Sequence, residues 1–131
     1  MRRVWPGLLL LLPLWAVAAD GAWHASASGP TLGARGNWLA SPPLRATTKV
    51  QGTISQVSWR YQLSRPAPSG LVVRLCASQR CVLLEGASGT TRGLAHIAAD
   101  ETLHLAFGFN GRGAVPPGLR VVSSEVTVNY H

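Results

Sequence analysis

The clearest pattern along the chain lies in residues 53–63, where Val57, Trp59, Tyr61 and Leu63 alternate with Ser58, Arg60 and Gln62. Apolar side chains at every second position line one face of a pleated strand, so this stretch is expected to be a strand with one buried face. Residues 71–76 repeat the period, with Leu71, Val73 and Leu75 set against Val72, Arg74 and Cys76. Cys81 then leads into Val82, Leu83, Leu84 and Glu85. Ala77, Ser78, Gln79 and Arg80 separate the two runs, a length that suits a hairpin connection and sets Cys76 opposite Cys81. Residues 102–109 alternate again, placing Leu103, Leu105, Phe107 and Phe109 on one face, and the chain ends with Val126, Val128 and Tyr130 on one face. The run Ala22-Trp-His-Ala-Ser-Ala-Ser28 is expected to be a first strand.

Between these runs, Gly and Pro punctuate the chain. Residues 29–43 are expected to be irregular, with at most one short strand around Trp38 and Leu39, and residues 44–50 are polar and Thr-rich. Pro66 and Pro68 lack the amide hydrogen a ladder needs, so residues 64–70 turn the backbone. Strands consecutive in sequence usually pair, which predicts that 53–63 and 71–76 are antiparallel neighbours. Residues 87–93 (Ala-Ser-Gly-Thr-Thr-Arg-Gly) read as connection, 110–118 as a turn-rich loop, and 119–123 as a segment separate from the terminal strand. Six to eight short strands without helical periodicity imply an all-β fold, an antiparallel sandwich or a partly closed barrel, with the sandwich preferred. Its expected core is Val57, Trp59, Tyr61, Leu63, Leu71, Val73, Leu75, Leu103, Leu105, Phe107, Val126 and Val128.

The N-terminus changes the setting in which that fold is read. Arg2 and Arg3 precede an apolar run ending near Leu14, followed by small residues at Ala16, Ala18 and Ala19. This is the pattern of a secretory signal peptide, cleaved after Ala18 or, as the rival site, Ala19. The run is shorter than the ~20 residues a spanning helix requires, and Pro13 interrupts it. Residues 1–18 are therefore assigned to a cleaved signal peptide and 19–131 to a single exported domain, with no stable membrane insertion after cleavage. The whole chain carries twelve Lys and Arg against five Asp and Glu, a net +7. Loss of Arg2 and Arg3 leaves ten bases against five acids, or +5. Those charges are scattered singly, which reads as a solvated basic surface, and no nucleic-acid partner is expected.

In an oxidising compartment the two cysteines are most simply one structural disulfide, Cys76–Cys81. Their spacing is not Cys-x-x-Cys, and nothing around them resembles the helix N-terminus that activates a redox thiol. His96, Asp100, Glu101 and His104 fall close together, and two readings stand for them: an exposed turn with incidental histidines, favoured by the spacing, and a weak metal site. No Gly-x-Ser-x-Gly turn and no phosphate-binding loop is present, so no enzymatic reaction, metal or cofactor is expected. The candidate partner-binding residues are Trp38, Arg60 and Arg74. Trp38 is read either as an exposed aromatic contact or as a loop ring folded back over the core, the two readings standing level.

The residues carrying these patterns also resemble a known family. Trp23 with the Ala-Ser that follows His24, Ser58-Trp-Arg-Tyr-Gln-Leu63, Pro68-Ser-Gly-Leu-x-Val-Arg-Leu-Cys76, Cys81-Val-x-Leu-Glu-Gly-x-Ser-Gly-Thr90 and Glu125-Val-x-Val-Asn-Tyr130 together resemble the flagellar protein FlhE family. The ordered set covers nearly the whole of 19–131; residues 37–50 and 92–117 match it least. The resemblance implies an all-β protein exported to the periplasm of Gram-negative bacteria, with no enzymatic reaction. It further implies an accessory role in flagellar assembly and swarming, limiting proton passage through the flagellar type III export apparatus. Its implied partners are basal-body or export-gate components in the neighbourhood of FlhA and FlhB. A second class of function stands beside this one, a periplasmic β-sandwich that binds a carbohydrate or cell-wall ligand.

Overall fold

The computed structural model describes residues 20–32, 38–110, 115 and 117–131. The expected signal peptide, residues 1–18, lies outside them. The alternating stretches become strands β1 (Gly21–Ala27), β2 (Leu39–Ala40), β3 (Ile54–Leu63), β4 (Leu71–Cys76), β5 (Cys81–Leu84), β6 (Ser88–Thr91), β7 (His104–Phe109) and β8 (Val121–Tyr130). Two four-stranded antiparallel sheets result, ordered β1-β8-β3-β6 and β2-β7-β4-β5. The described residues contain no helix.

The strand period decides what lies between the sheets. Val57, Trp59 and Tyr61 of β3 and Val126 and Val128 of β8 are buried, as are Val73 and Leu75 of β4 and Leu105 and Phe107 of β7, with Leu103 just before it. Tyr61 and Phe107 link the two sheets, their rings edge to face with centroids 5.5 Å apart. Leu63 and Leu71, expected in the core, are half-buried, because each ends its strand at the open mouth of the connection 64–70. Loops complete the core: Leu32, Leu44, Leu94, Ala99 and Leu119 are fully buried or nearly so. Leu44 and Leu103 exchange backbone hydrogen bonds of 2.7 and 2.8 Å, which ties the start of the otherwise polar segment 44–50 to the residue just before β7.

Three expectations are corrected. β3 and β4 are not antiparallel neighbours; they belong to opposite sheets. Both edges of β3 are taken by β8 and β6, and both edges of β4 by β7 and β5. The connection 64–70 therefore crosses the ~10 Å between layers. Gly70, at φ 87°, makes the final bend, and its carbonyl accepts the amide of Asn110 at 2.7 Å. Residues 88–91, read as connection, form β6, in which Gly89 is registered with Trp59. A Gly in a strand looks like a turn in sequence, but here it makes room for a ring. Segments 119–123 and 125–131 are likewise not separate. They join in β8, whose register against β3 shifts between Gln62 and Leu63, so the polar pair Ser123-Ser124 interrupts the pattern without interrupting the strand.

The hairpin closes as its spacing implied. Cys76 and Cys81 are registered partners joined by a disulfide, and Ala77 N–H donates to the Arg80 carbonyl at 2.8 Å. Side chains of the loop then reach sideways. Ser78 donates from both its amide and its hydroxyl to Glu101, and Arg80 donates to the carbonyls of Gly93 and Ala95 at 3.0 and 3.2 Å. The hairpin tip is thereby pinned to segment 92–101.

Candidate functional site

Inward side chains of β4 alternate with outward ones, so Arg74 projects from the outer face of the β2-β7-β4-β5 sheet. Its registered neighbours there are Leu83 on β5 and Ala106 on β7, and Ala106 is in turn registered with Ala40 on β2. Ala40, Ala106 and Gly108 put small residues on the β2 and β7 part of this face. Trp38, immediately before β2, lies across it above Gly108, where an added Cβ would come within 2.8 Å of the indole. The Arg74 guanidinium carbon is 4.5 Å from the centroid of the Trp38 ring. A cation over an indole face is attracted by the ring quadrupole, by about 0.5–1 kcal/mol at an exposed site.

The Trp38 ring folds back onto the outside of a sheet rather than over the core, and remains 46% exposed. Leu83, 63% exposed beside Arg74, extends the patch. Its outward position was legible from the strand period and its place beside Arg74 from the hairpin, whereas the meeting of Trp38 with Arg74 required the sheet order.

Arg60 sits elsewhere. It projects from the outer face of the other sheet, where its Nε donates to Glu125 Oε2 at 3.2 Å from the registered position on β8. With 72% of the Arg60 side chain exposed, solvent screens the pair and its stabilisation is small. The three candidate residues therefore form one two-residue cluster, Trp38 with Arg74, and one separate ion pair. Consecutive strands in opposite sheets put Arg60 and Arg74 on opposite sides of the sandwich.

Trp23 and Trp59 are buried, their indole N–H groups donating to the carbonyls of Ala99 at 2.8 Å and Gly86 at 3.2 Å. They offer no ring face for sugar stacking. His104 is registered with Cys76 on the outer face, whereas His96 lies in the segment leading to Asp100 and Glu101. Among the described residues no three or more His, Cys, Asp and Glu gather as a metal-holding group. Burial pushes the Tyr61 phenol above its usual range, and that ring packs in the core.

The family whose description is "Flagellar protein FlhE" matches residues 29–131. The chain belongs to the FlhE family. Flagellar protein FlhE of Salmonella typhimurium is 46% identical over 128 residues, covering 98% of each chain. That of Escherichia coli K12 is 48% identical over 123 residues, covering 93% of this chain and 95% of the relative. A crystal structure of FlhE superposes with a TM-score of 0.83 at 47% identity, over 87% of this chain and 99% of that one. The serine protease of Aeromonas sobria matches 92% of this chain with 29% of its own, with a TM-score of 0.65 at 11% identity, a likeness of fold alone. FlhE membership supports an accessory role in the flagellum and association with flagellar components. The name denotes a flagellar protein and no class of enzyme.

Proposed function

We propose that this chain is a non-catalytic periplasmic accessory protein of the bacterial flagellum. In this reading it assists flagellar assembly and swarming and limits proton leakage through the flagellar type III export apparatus. The observation that carries the reading is the FlhE match across residues 29–131, with relatives of 46% and 48% identity over nearly the whole chain. The N-terminal pattern of two arginines, an apolar run and small residues supports export. Docking on basal-body or export-gate components, FlhA and FlhB among the candidates, uses the outer face bearing Trp38, Arg74 and Leu83. An exposed aromatic beside an arginine suits such contacts, since both residue types are enriched among interface hot spots. Arg60, on the far side, is a second contact.

Deleting the gene is expected to lower cytoplasmic pH in flagellated cells and to impair swarming, with both restored by the wild-type gene. Replacement by a Trp38→Ala, Arg74→Gln double variant is expected to restore neither fully, while the exported variant accumulates folded. Unchanged cytoplasmic pH together with unchanged swarming in the deletion strain refutes the proposal.

A further inference from the structure

A second site lies at the end of the β1-β8-β3-β6 sheet, the sheet opposite the one that carries Arg74 and the Trp38 contact. The β3–β8 register passes from Ile54 opposite Tyr130 to Gln56 opposite Asn129, leaving Ser55 as an extra residue. Such a bulge re-aims the side chains around it. Ser55 Oγ donates to the Asn129 carbonyl at 3.0 Å, which fixes the bulge to β8. Gln56 and Asn129 are thereby set side by side on the outer face. On the other side of β3, β6 ends with Thr91 opposite Val57, so Arg92 continues that row past Gln56.

The chain then folds back over the row. Ala95 N–H donates to the Arg92 carbonyl at 3.0 Å, His96 N–H to Ile54 at 2.9 Å, and Ile54 N–H to Ile97 at 2.7 Å. Held between the last two bonds, His96 takes φ 74°. A non-glycine residue in that region costs on the order of 1 kcal/mol or more and persists only where its surroundings enforce it. These elements enclose an open cleft of about 370 Å³ lined by Gln56, Arg92, His96, Asn129 and His131. The volume is within the range of small-molecule sites, roughly 300–1,000 Å³.

These five side chains of the lining are basic or amide, and the main-chain oxygen of His131 beside them is taken by the Thr53 amide at 2.9 Å. The lining holds one arginine, two imidazoles and two carboxamides, and no carboxylate side chain. Among the described residues, none of these five side chains has a hydrogen-bond or ion-pair partner. By contrast, the clefts beside Arg60 and beside Ser78 include Glu125 and Glu101 respectively. We propose that this cleft binds a small polar ligand through an oxyanion, a carboxylate or a phosphate group. Arg92 supplies the planar fork of donors that matches either group, and the imidazole and amide N–H groups around it supply directed hydrogen bonds. Volume beyond the anion leaves room for the polar body of the ligand.

Titrating the folded protein, purified as it accumulates in the cell, with sodium phosphate and, separately, sodium succinate at constant ionic strength tests the proposal by amide NMR shifts. At least one probe is expected to give saturable shifts confined to Ser55, Gln56, segment 92–97 and Asn129, and the tighter of the two names the chemical class. Arg92→Gln is expected to weaken that binding about tenfold or more, the usual loss for a charge-assisted hydrogen bond. His96→Asn, which tolerates a left-handed backbone, is expected to keep the fold and weaken binding several-fold. Arg45→Gln, at an exposed position outside the cleft, is expected to leave affinity unchanged. Shifts that fail to saturate with both probes, shifts spread over the surface arginines, or equal affinity in Arg92→Gln overturn it.

Discussion

Gly89 and Gly108 each lie beneath a tryptophan, and comparing the two glycines tests how this sandwich is packed. At Gly89 an added Cβ would stand 2.6 and 2.8 Å from Cη2 and Cζ2 of Trp59. Carbon atoms rest at about 3.5–4.0 Å, so the ring would have to retreat by about 1 Å. It has nowhere to go, being 8% exposed and tethered by its indole N–H to the Gly86 carbonyl. Overpacking of this kind costs about 1–3 kcal/mol and the strained hydrogen bond about 1, against about 0.5–1 recovered from the stiffer unfolded chain. Gly89→Ala is therefore expected to destabilise the protein by about 2 kcal/mol.

At Gly108 the clash is nearly as close on paper, with Trp38 atoms at 2.8 to 2.9 Å, but that ring is 46% exposed and can swing outward. The loss there is the contact with Arg74, about 0.5–1 kcal/mol, which the same entropy gain largely cancels. Gly108→Ala is expected to change stability by less than about 1 kcal/mol. Urea denaturation followed by circular dichroism and tryptophan emission, extrapolated linearly to water, reads both differences. If Gly89→Ala loses no more than Gly108→Ala, burial of Trp59 is not what sets the cost and the reasoning fails.

Two further outcomes follow from the core and the hairpin. Cys76→Ser, or reduction of the wild type, is expected to cost about 2 kcal/mol in the same denaturation assay, because the closed loop spans a sequence separation of only 5 and removes little unfolded-state entropy. A free-thiol assay finding two reactive cysteines in protein taken from the cell would contradict this. Burial holds the Tyr61 phenol protonated to higher pH than in the unfolded chain. The folded state thus binds more protons above the unfolded pKa of about 10, so stability is fully present below about pH 10 and is lost as pH rises beyond it. Tyr61→Phe is expected to flatten that alkaline decline while shifting stability near neutrality little, and a decline of unchanged steepness would refute the assignment.

The sequence by itself determined which residues face inward. A strand repeats every second residue, so Val57, Trp59 and Tyr61, Val73 and Leu75, and Leu105 and Phe107 declare their buried face without reference to any other part of the chain. The Cys76–Cys81 hairpin was legible for the same reason, since both of its strands and its turn are contiguous. The ordered motifs likewise carried the FlhE resemblance. Which strands pair was not legible, because a connection such as 64–70 has the same Pro and Gly content whether it closes a hairpin or crosses between sheets. Only the tertiary structure placed β3 and β4 in opposite layers, and with them Arg60 and Arg74 on opposite sides. It also turned the glycine-bearing residues 88–91 into a strand, since what Gly89 does depends on the Trp59 ring that lies over it. The cleft of Gln56, Arg92, His96 and Asn129 draws on three distant segments, and no local pattern could announce it. Period is a property of a few neighbouring residues, whereas a site is a property of sheet order and register.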